Sequence, residues 1–319
     1  MFLIRNVKPT DYADLLVLSR ELDSINLPHN PRIIRKMIEK SVASFSTLRG
    51  SPKAQYLFVL EDTVRRQVIG ASKIFAHHGT PKKPHIYFQV AHEEVTSKTL
   101  SVKFRRKVYR LRTDSIGFTE IGGLVLSRRY YGHKAELAKQ LSYIRFLFMK
   151  AHPTWFKGRV IAELLPPLYQ GESTLWNFYG YPLTRLSYKK ADLLSYSNKE
   201  FILKLFPKND LYFDLLPPEV KRDVEQTGKG SAKAKRLLEK IGFRYARQID
   251  PFDGGPYFTA PLKKISVYQK THLLRSKKGI HGKKHLVMIE GKNGVRGMLT
   301  DDLSLLSPKK DERIYIYAI

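Results

Sequence analysis

Apolar residues recur along this chain first at helical and then at strand spacing, and the switches between the two periods mark out its elements. The opening, MFLIRNVKP, reads as a first strand, with neither a basic leader nor a small-residue cleavage site. Thr10 caps a helix to about Leu22, and Asn30-Pro31 opens another whose Ile33, Ile34, Met37, Ile38, Val42 and Phe45 form one stripe. YLFVLED, VIGASKIFA, HIYFQV and TEIGGLVLS, lying between residues 56 and 127, then alternate as successive antiparallel strands. Leu137, Leu141, Ile144 and Phe148 share one face of a helix from about Lys134 to Ala151, and RVIAELLP is the buried strand that follows.

Ser197 to Glu200 has the form of a capping box for a helix through Phe206, and Pro217-Pro218 starts another. In LLEKIGFRYARQIDPFDGGPYFTA, Leu237 and Leu238 face a core, Gly242 closes a helix in the left-handed conformation and Phe243 folds back on its last turn. DGGP, Asp253 to Pro256, is a tight turn between two paired strands. GESTLWNFYGY and GSAKAKRLLEKIGF share a small-residue start, a helix and an aromatic after glycine, a weak internal echo. Beyond about Lys263 the chain turns basic and loop-rich, with LVMIEG and IYIYAI as later strands.

Composition narrows the function. No run approaches the roughly 18 apolar residues that span a membrane, so a cytoplasmic protein without a membrane partner is expected. The absence of cysteine excludes disulfides, thiolate metal sites and cysteine nucleophiles. Neither HExxH nor GxxxxGK[ST] occurs, and no metal is expected. The net charge of +28 invites an anionic partner, but the 57 Lys and Arg are spread along the chain. KFRRKVYR and SKKGIHGKKH are short clusters that read as solvated faces, so nucleic acid would bind weakly and without sequence preference. Homo- and hetero-oligomers both stay open.

The chemistry sits in the middle. Gly122 and Gly123 are unfavourable inside an apolar strand unless it bulges or something approaches its backbone. A short loop with Arg128, Arg129, Gly132, His133 and Lys134 then enters a helix whose amide N–H groups suit a phosphate.

This order of bulged strand, basic glycine loop, helix and buried strand resembles the GNAT acyltransferases. A closer likeness is to the arginine N-succinyltransferase family, carried by FVLED, IGGLVL, RFLFM, RVIAEL, ADLLS, KEFILKLFPKNDLYFDLLP and most specifically EKIGFRYARQIDPFDGGP. The resemblance implies an α+β fold: a GNAT-like mixed, mostly antiparallel sheet flanked by helices. It implies a GNAT-like domain over residues 1–264, with a helical insertion at about 167–229, and a small basic β appendage over 265–319.

The implied co-substrate is an acyl-CoA, succinyl-CoA in this family, with a small amine acceptor, arginine by default and a polyamine or peptide amine as alternatives. A non-catalytic nucleic-acid-binding scaffold is the rival from another class. Leu124 falls where the family's central strand touches succinyl-CoA through its backbone, and Leu126 is the next residue facing the same way. Arg129, Gly132, His133 and Lys134 would hold the pyrophosphate. Gly228 aligns with the family's proton-donating histidine, and glycine cannot transfer a proton. Leu238 and Trp176 stand where other GNAT enzymes carry an acidic tyrosine, and neither can replace it. Glu163 and Glu120 are candidate bases. A cationic acceptor would also need an acidic pocket, for which Glu21, Asp23 and Glu120 are candidate walls; Asp253 reads equally well as a turn residue.

Overall fold

The computed structural model describes the chain apart from residues 23–26, 48, 196–197, 276–280, 293, 304–305 and 307–308. In order, the elements are β1 (Phe2–Asn6), α1 (Tyr12–Leu22), α2 (Pro31–Ser46), β2 (Gln55–Asp62), β3 (Gln67–His78), β4 (His85–Ser97), β5 (Val102–Asp114) and β6 (Phe118–Leu126). Next come α3 (Leu137–Ala151), β7 (Arg159–Glu163), α4 (Tyr181–Thr184), α5 (Tyr188–Ser195), α6 (Glu200–Leu205), β8 (Leu211–Tyr212) and α7 (Pro218–Asp223). The remainder is α8 (Ala232–Lys240), β9 (Arg244–Ile249), β10 (Pro256–Pro261), α9 (Ser266–Lys270), β11 (His272–Leu273), β12 (His281–Gly291), β13 (Gly294–Asp302) and β14 (Arg313–Ala318).

The chain forms two compact units, residues 1–77, 118–160 and 261–319 in one, and 78–117 and 161–260 in the other. In the first unit the strand order is β11-β14-β12-β13-β1-β2-β3-β6. β1 pairs antiparallel with β2 on one side and β13 on the other, so the last strands of the chain extend the sheet begun by the first. Leu15 and Leu18 of α1 and Ile34 and Ile38 of α2 pack with Leu57, Val59, Ala71 and Val125 of the sheet. The aromatic rings of Phe45, Tyr56, Phe58 and Phe148 meet at 4.8 to 5.5 Å.

The cap of α2 is the expected one: Asn30 Oδ1 accepts from the N–H of Arg32 and Ile33 at 3.0 and 3.1 Å. The start of α1 differs. Thr10 lies inside a 3₁₀ turn, Pro9–Asp11, and Asp11 rather than Thr10 binds back, its Oδ2 accepting from the Lys8 N–H at 2.7 Å. A proline at the first position of that turn shifts the capping role along the chain.

In the second unit the order is β7-β10-β9-β4-β5-β8. β5 holds KFRRKVYR, which the sequence presents as a charge cluster. Opposite it β4 sets Glu93 against Arg106 and Glu94 against Arg105, and the ion pairs Lys103–Glu94 at 2.7 Å and Arg110–Asp210 at 2.8 Å neutralise part of the cluster. The expected capping serine, Ser197, lies outside the described residues, while Asn198 Oδ1 accepts from the Glu200 N–H at 2.9 Å.

The echoed segment around Trp176 does not stop at its glycine. It winds as a π-turn through Trp176–Gly180 and continues into α4, because Gly180 is helical and lies against the Trp176 ring, where a Cβ would come within 2.3 Å. By contrast α8 ends as read. Gly242 has φ +110° and the Phe243 N–H reaches back to the Leu238 carbonyl at 3.1 Å.

Candidate active site

Each unit carries one part of the candidate chemistry. In the first, β6 runs extended until Gly123, whose φ of +57° takes the backbone out of strand geometry. A side chain would strain this conformation, which is why glycine stands here. Leu124, just after the break, is half-buried. Leu126 is 7% exposed and its side chain, with Leu141 of α3, closes around Gly70, so it serves packing between helix and sheet.

The loop after β6 is pinned at several points. The Ser127 N–H donates to the Ile69 carbonyl at 2.7 Å, and the Tyr130 hydroxyl donates to Asp62 Oδ2 at 2.8 Å. His133 sets its ring against Phe2 at 5.0 Å, and its Nδ1 accepts from the Ala135 N–H at 3.1 Å. These anchors leave Arg129, Gly132 and Lys134 exposed. Gly132 has φ +75°, with no atom within 4 Å of where a Cβ would sit. The helix begins at Leu137, where the apolar stripe starts, three residues later than the expected boundary at Lys134. Glu136 is left-handed at φ +50°, and the helical ladder starts at its carbonyl, which accepts from Lys139 and Gln140.

Glu120, half-buried on β6, lies close to Lys73 of β3. Burial pushes the Lys73 amine down to about 8, and the Glu120 charge opposes that shift. Of the other suggested acidic walls, Asp23 and the side chain of Glu21 lie outside the described residues.

The second unit holds an acidic corner. Glu163 ends β7, and one oxygen of its carboxylate lies within 4.8 Å of oxygens on Asp250 and Asp253. The DPFDGG stretch folds through these two aspartates. Asp250 Oδ1 accepts from the Phe252 N–H at 2.7 Å and Asp253 Oδ1 from the Gly255 N–H at 2.8 Å, so both are turn residues. Their second oxygens take the hydroxyls of Tyr257 at 2.7 Å and Tyr188 at 3.1 Å, and Tyr257 also lies 3.3 Å from Glu163 Oε2. With all four aspartate oxygens hydrogen-bonded, two within the turn and two by tyrosine hydroxyls, the corner reads as a hydrogen-bonded polar core.

Burial first, then the charge of Asp250, raises the proton affinity of Asp253 well above the usual carboxylate range. The same two causes push Asp192 of α5 up to about 6, with Lys199 opposing. Sequence reading missed Glu163, Asp192 and Asp250 as one group, because no spacing pattern joins residues brought together from three separate segments.

Gly228 sits in the same unit with φ −61° and ψ 155°, a conformation open to any residue. What requires glycine is proximity. A Cβ here would lie 2.5 Å from the Pro166 carbonyl oxygen, and the Gly228 N–H donates to the Leu165 carbonyl at 2.9 Å. Three residues earlier Glu225 is held left-handed at φ +65°. Its N–H donates to the Gly254 carbonyl, and its carboxylate accepts from Lys107 at 2.9 Å and from Tyr109 and Tyr245 at 2.8 Å each. Burial and this carboxylate push both tyrosines up.

A sheet strand that breaks at Gly123, followed by a basic glycine loop and the buried helix α3, has the order of a GNAT-type acyltransferase scaffold. The profile of the arginine N-succinyltransferase beta subunit matches residues 2–267. The chain is 34% identical over 269 residues to an arginine N-succinyltransferase of Yersinia enterocolitica serotype O:8, spanning 83% of this chain and 77% of that one. It is 29% identical over 283 residues to one from Escherichia coli O6:K15:H31, spanning 88% and 81%. The chain therefore belongs to the arginine N-succinyltransferase family, whose members are acyltransferases. Its fold matches that of arginine/ornithine succinyltransferase subunit AI from Pseudomonas aeruginosa, with a TM-score of 0.84 at 24% identity, covering 100% of this chain and 98% of that one. Among the described residues no helix is long and apolar enough to cross a membrane.

Proposed function

We propose that the protein transfers the succinyl group of succinyl-CoA to the α-amino group of L-arginine. The amine attacks the thioester carbonyl, a C–N bond forms, the C–S bond breaks, and CoA leaves as its thiolate while the ammonium product gives up a proton. The observation that carries this reading is the break at Gly123 in a chain 34% identical to an arginine N-succinyltransferase. In it the Leu124 backbone N–H polarises the thioester carbonyl, and the loop at Gly132, with Arg129, His133 and Lys134, holds the pyrophosphate.

A thiol of pKa about 8.5 leaves readily as thiolate, so the reaction does not require the histidine that Gly228 replaces. Glu120 and Glu163 are the candidate bases. Glu120 faces Lys73, a cation that repels a cationic acceptor, and Glu163 lies beside Asp250 and Asp253, whose oxygens are engaged in hydrogen bonds. Glu120→Gln and Glu163→Gln decide between them: the variant that loses the base should lose at least tenfold in kcat, with CoA affinity by calorimetry unchanged in both. Equal activity in both variants and the parent leaves proton removal to water.

A further inference from the structure

Arg145 lies in the buried stretch of α3 and is 2% exposed. Its Nε donates to the Ser142 carbonyl at 2.9 Å, its Nη2 to Ser142 Oγ at 2.8 Å, and its Nη1 lies 3.5 Å from the carbonyl oxygen of Gly122. Among the described residues no carboxylate forms an ion pair with it. Burial without a compensating charge pushes the guanidinium down to about 9. A buried cation left with neutral partners destabilises a fold, and an apolar side chain of similar length would fill the space at less expense. Packing therefore does not account for arginine at this position.

The place of the charge does. It sits against the Gly122 carbonyl, immediately before the residue at which β6 leaves strand geometry and two residues before Leu124. A positive charge held at that range in a buried setting fixes the orientation of the Gly122–Gly123 peptide and adds a positive potential behind the strand. We infer that Arg145 is a positioning residue for acyl transfer, anchoring the glycine break from the helix side so that the Leu124 N–H is held ready for the thioester oxygen. The inference rests on the reading that places the thioester at Leu124.

Arg145→Met and Arg145→Lys test it, each measured for thermal midpoint, for kcat and KM with succinyl-CoA and arginine, and for amide hydrogen exchange at Gly123 and Leu124. Arg145→Met should keep or raise the midpoint, by roughly 2 °C, since a buried charge is removed. Its kcat should fall about tenfold or more at little-changed KM, and exchange at the two amides should quicken. Arg145→Lys, which keeps the charge but not the fork, should recover part of the kcat. A fall in midpoint with unaltered kcat would show a purely structural residue and overturn the inference, as would unchanged exchange in Arg145→Met. If the parent releases no CoA with any amine, the functional reading falls separately, and the exchange measurement still decides whether Arg145 holds the break.

Discussion

Replacing Gly228 by alanine asks how closely the chain is closed at this position. The new Cβ would lie 2.5 Å from the Pro166 carbonyl oxygen, 2.8 Å from its carbon and 3.2 Å from the Pro167 nitrogen. All three are backbone atoms of a proline pair, so relief requires moving a main chain tied to Gly228 by the hydrogen bond at Leu165. Forcing a methyl group into such a site costs about 1–3 kcal/mol. Because φ −61° and ψ 155° suit alanine, the unfolded chain loses entropy and returns about 0.4–1 kcal/mol, leaving a net loss of roughly 1–2 kcal/mol. Urea unfolding followed by tryptophan fluorescence should show the midpoint falling with an unchanged slope. Gly228→His, with a longer side chain in the same place, should lose more stability and gain no activity. A neutral or stabilising Gly228→Ala, or a Gly228→His variant with raised kcat, would refute the argument from close approach.

Gly132→Asp places a carboxylate and a φ-strained side chain in the exposed loop, and calorimetry should show CoA binding about tenfold weaker in a folded variant. Asp192 protonates more easily in the folded chain, at about 6 against the usual 3.8 of an aspartate, so folding takes up a proton between those values and stability declines as pH rises through them. Asp192→Asn should remove that decline and raise the unfolding midpoint at pH 7 to 8, read from thermal melts across the range. Tyr257→Phe removes the hydroxyl shared between Asp250 and Glu163 and should lower stability by about 1–3 kcal/mol in the same urea assay.

The features that sequence made legible are those set by neighbouring residues. Asn30 caps α2 through its own side chain, Gly242 closes α8, and DGGP turns β9 into β10, with Phe258 opposite Tyr245. The break at Gly123 announced itself through two glycines in an apolar strand. What escaped was set at a distance. β5 looks like a charge cluster until Glu93 and Glu94 are placed across from it, and the late start of α3 depends on one left-handed residue, Glu136. The acidic corner needs Glu163, Asp192 and Asp250 from separate segments, and Gly228 is explained by a proline pair more than sixty residues earlier in the chain.

The most direct test of the account is CoA release from succinyl-CoA by the purified parent protein, with arginine, ornithine, spermidine and a short peptide as acceptors, between neutral and alkaline pH. Arginine should raise release well above hydrolysis, increasingly so toward alkaline pH as the free amine becomes more abundant, with N2-succinylarginine as the product by mass spectrometry. If spermidine or the peptide works and arginine does not, the acyltransferase scaffold stands and the acceptor is wrong. If CoA binds but no acceptor raises release at any pH, the chain has kept the fold and lost the reaction, and the central claim is contradicted.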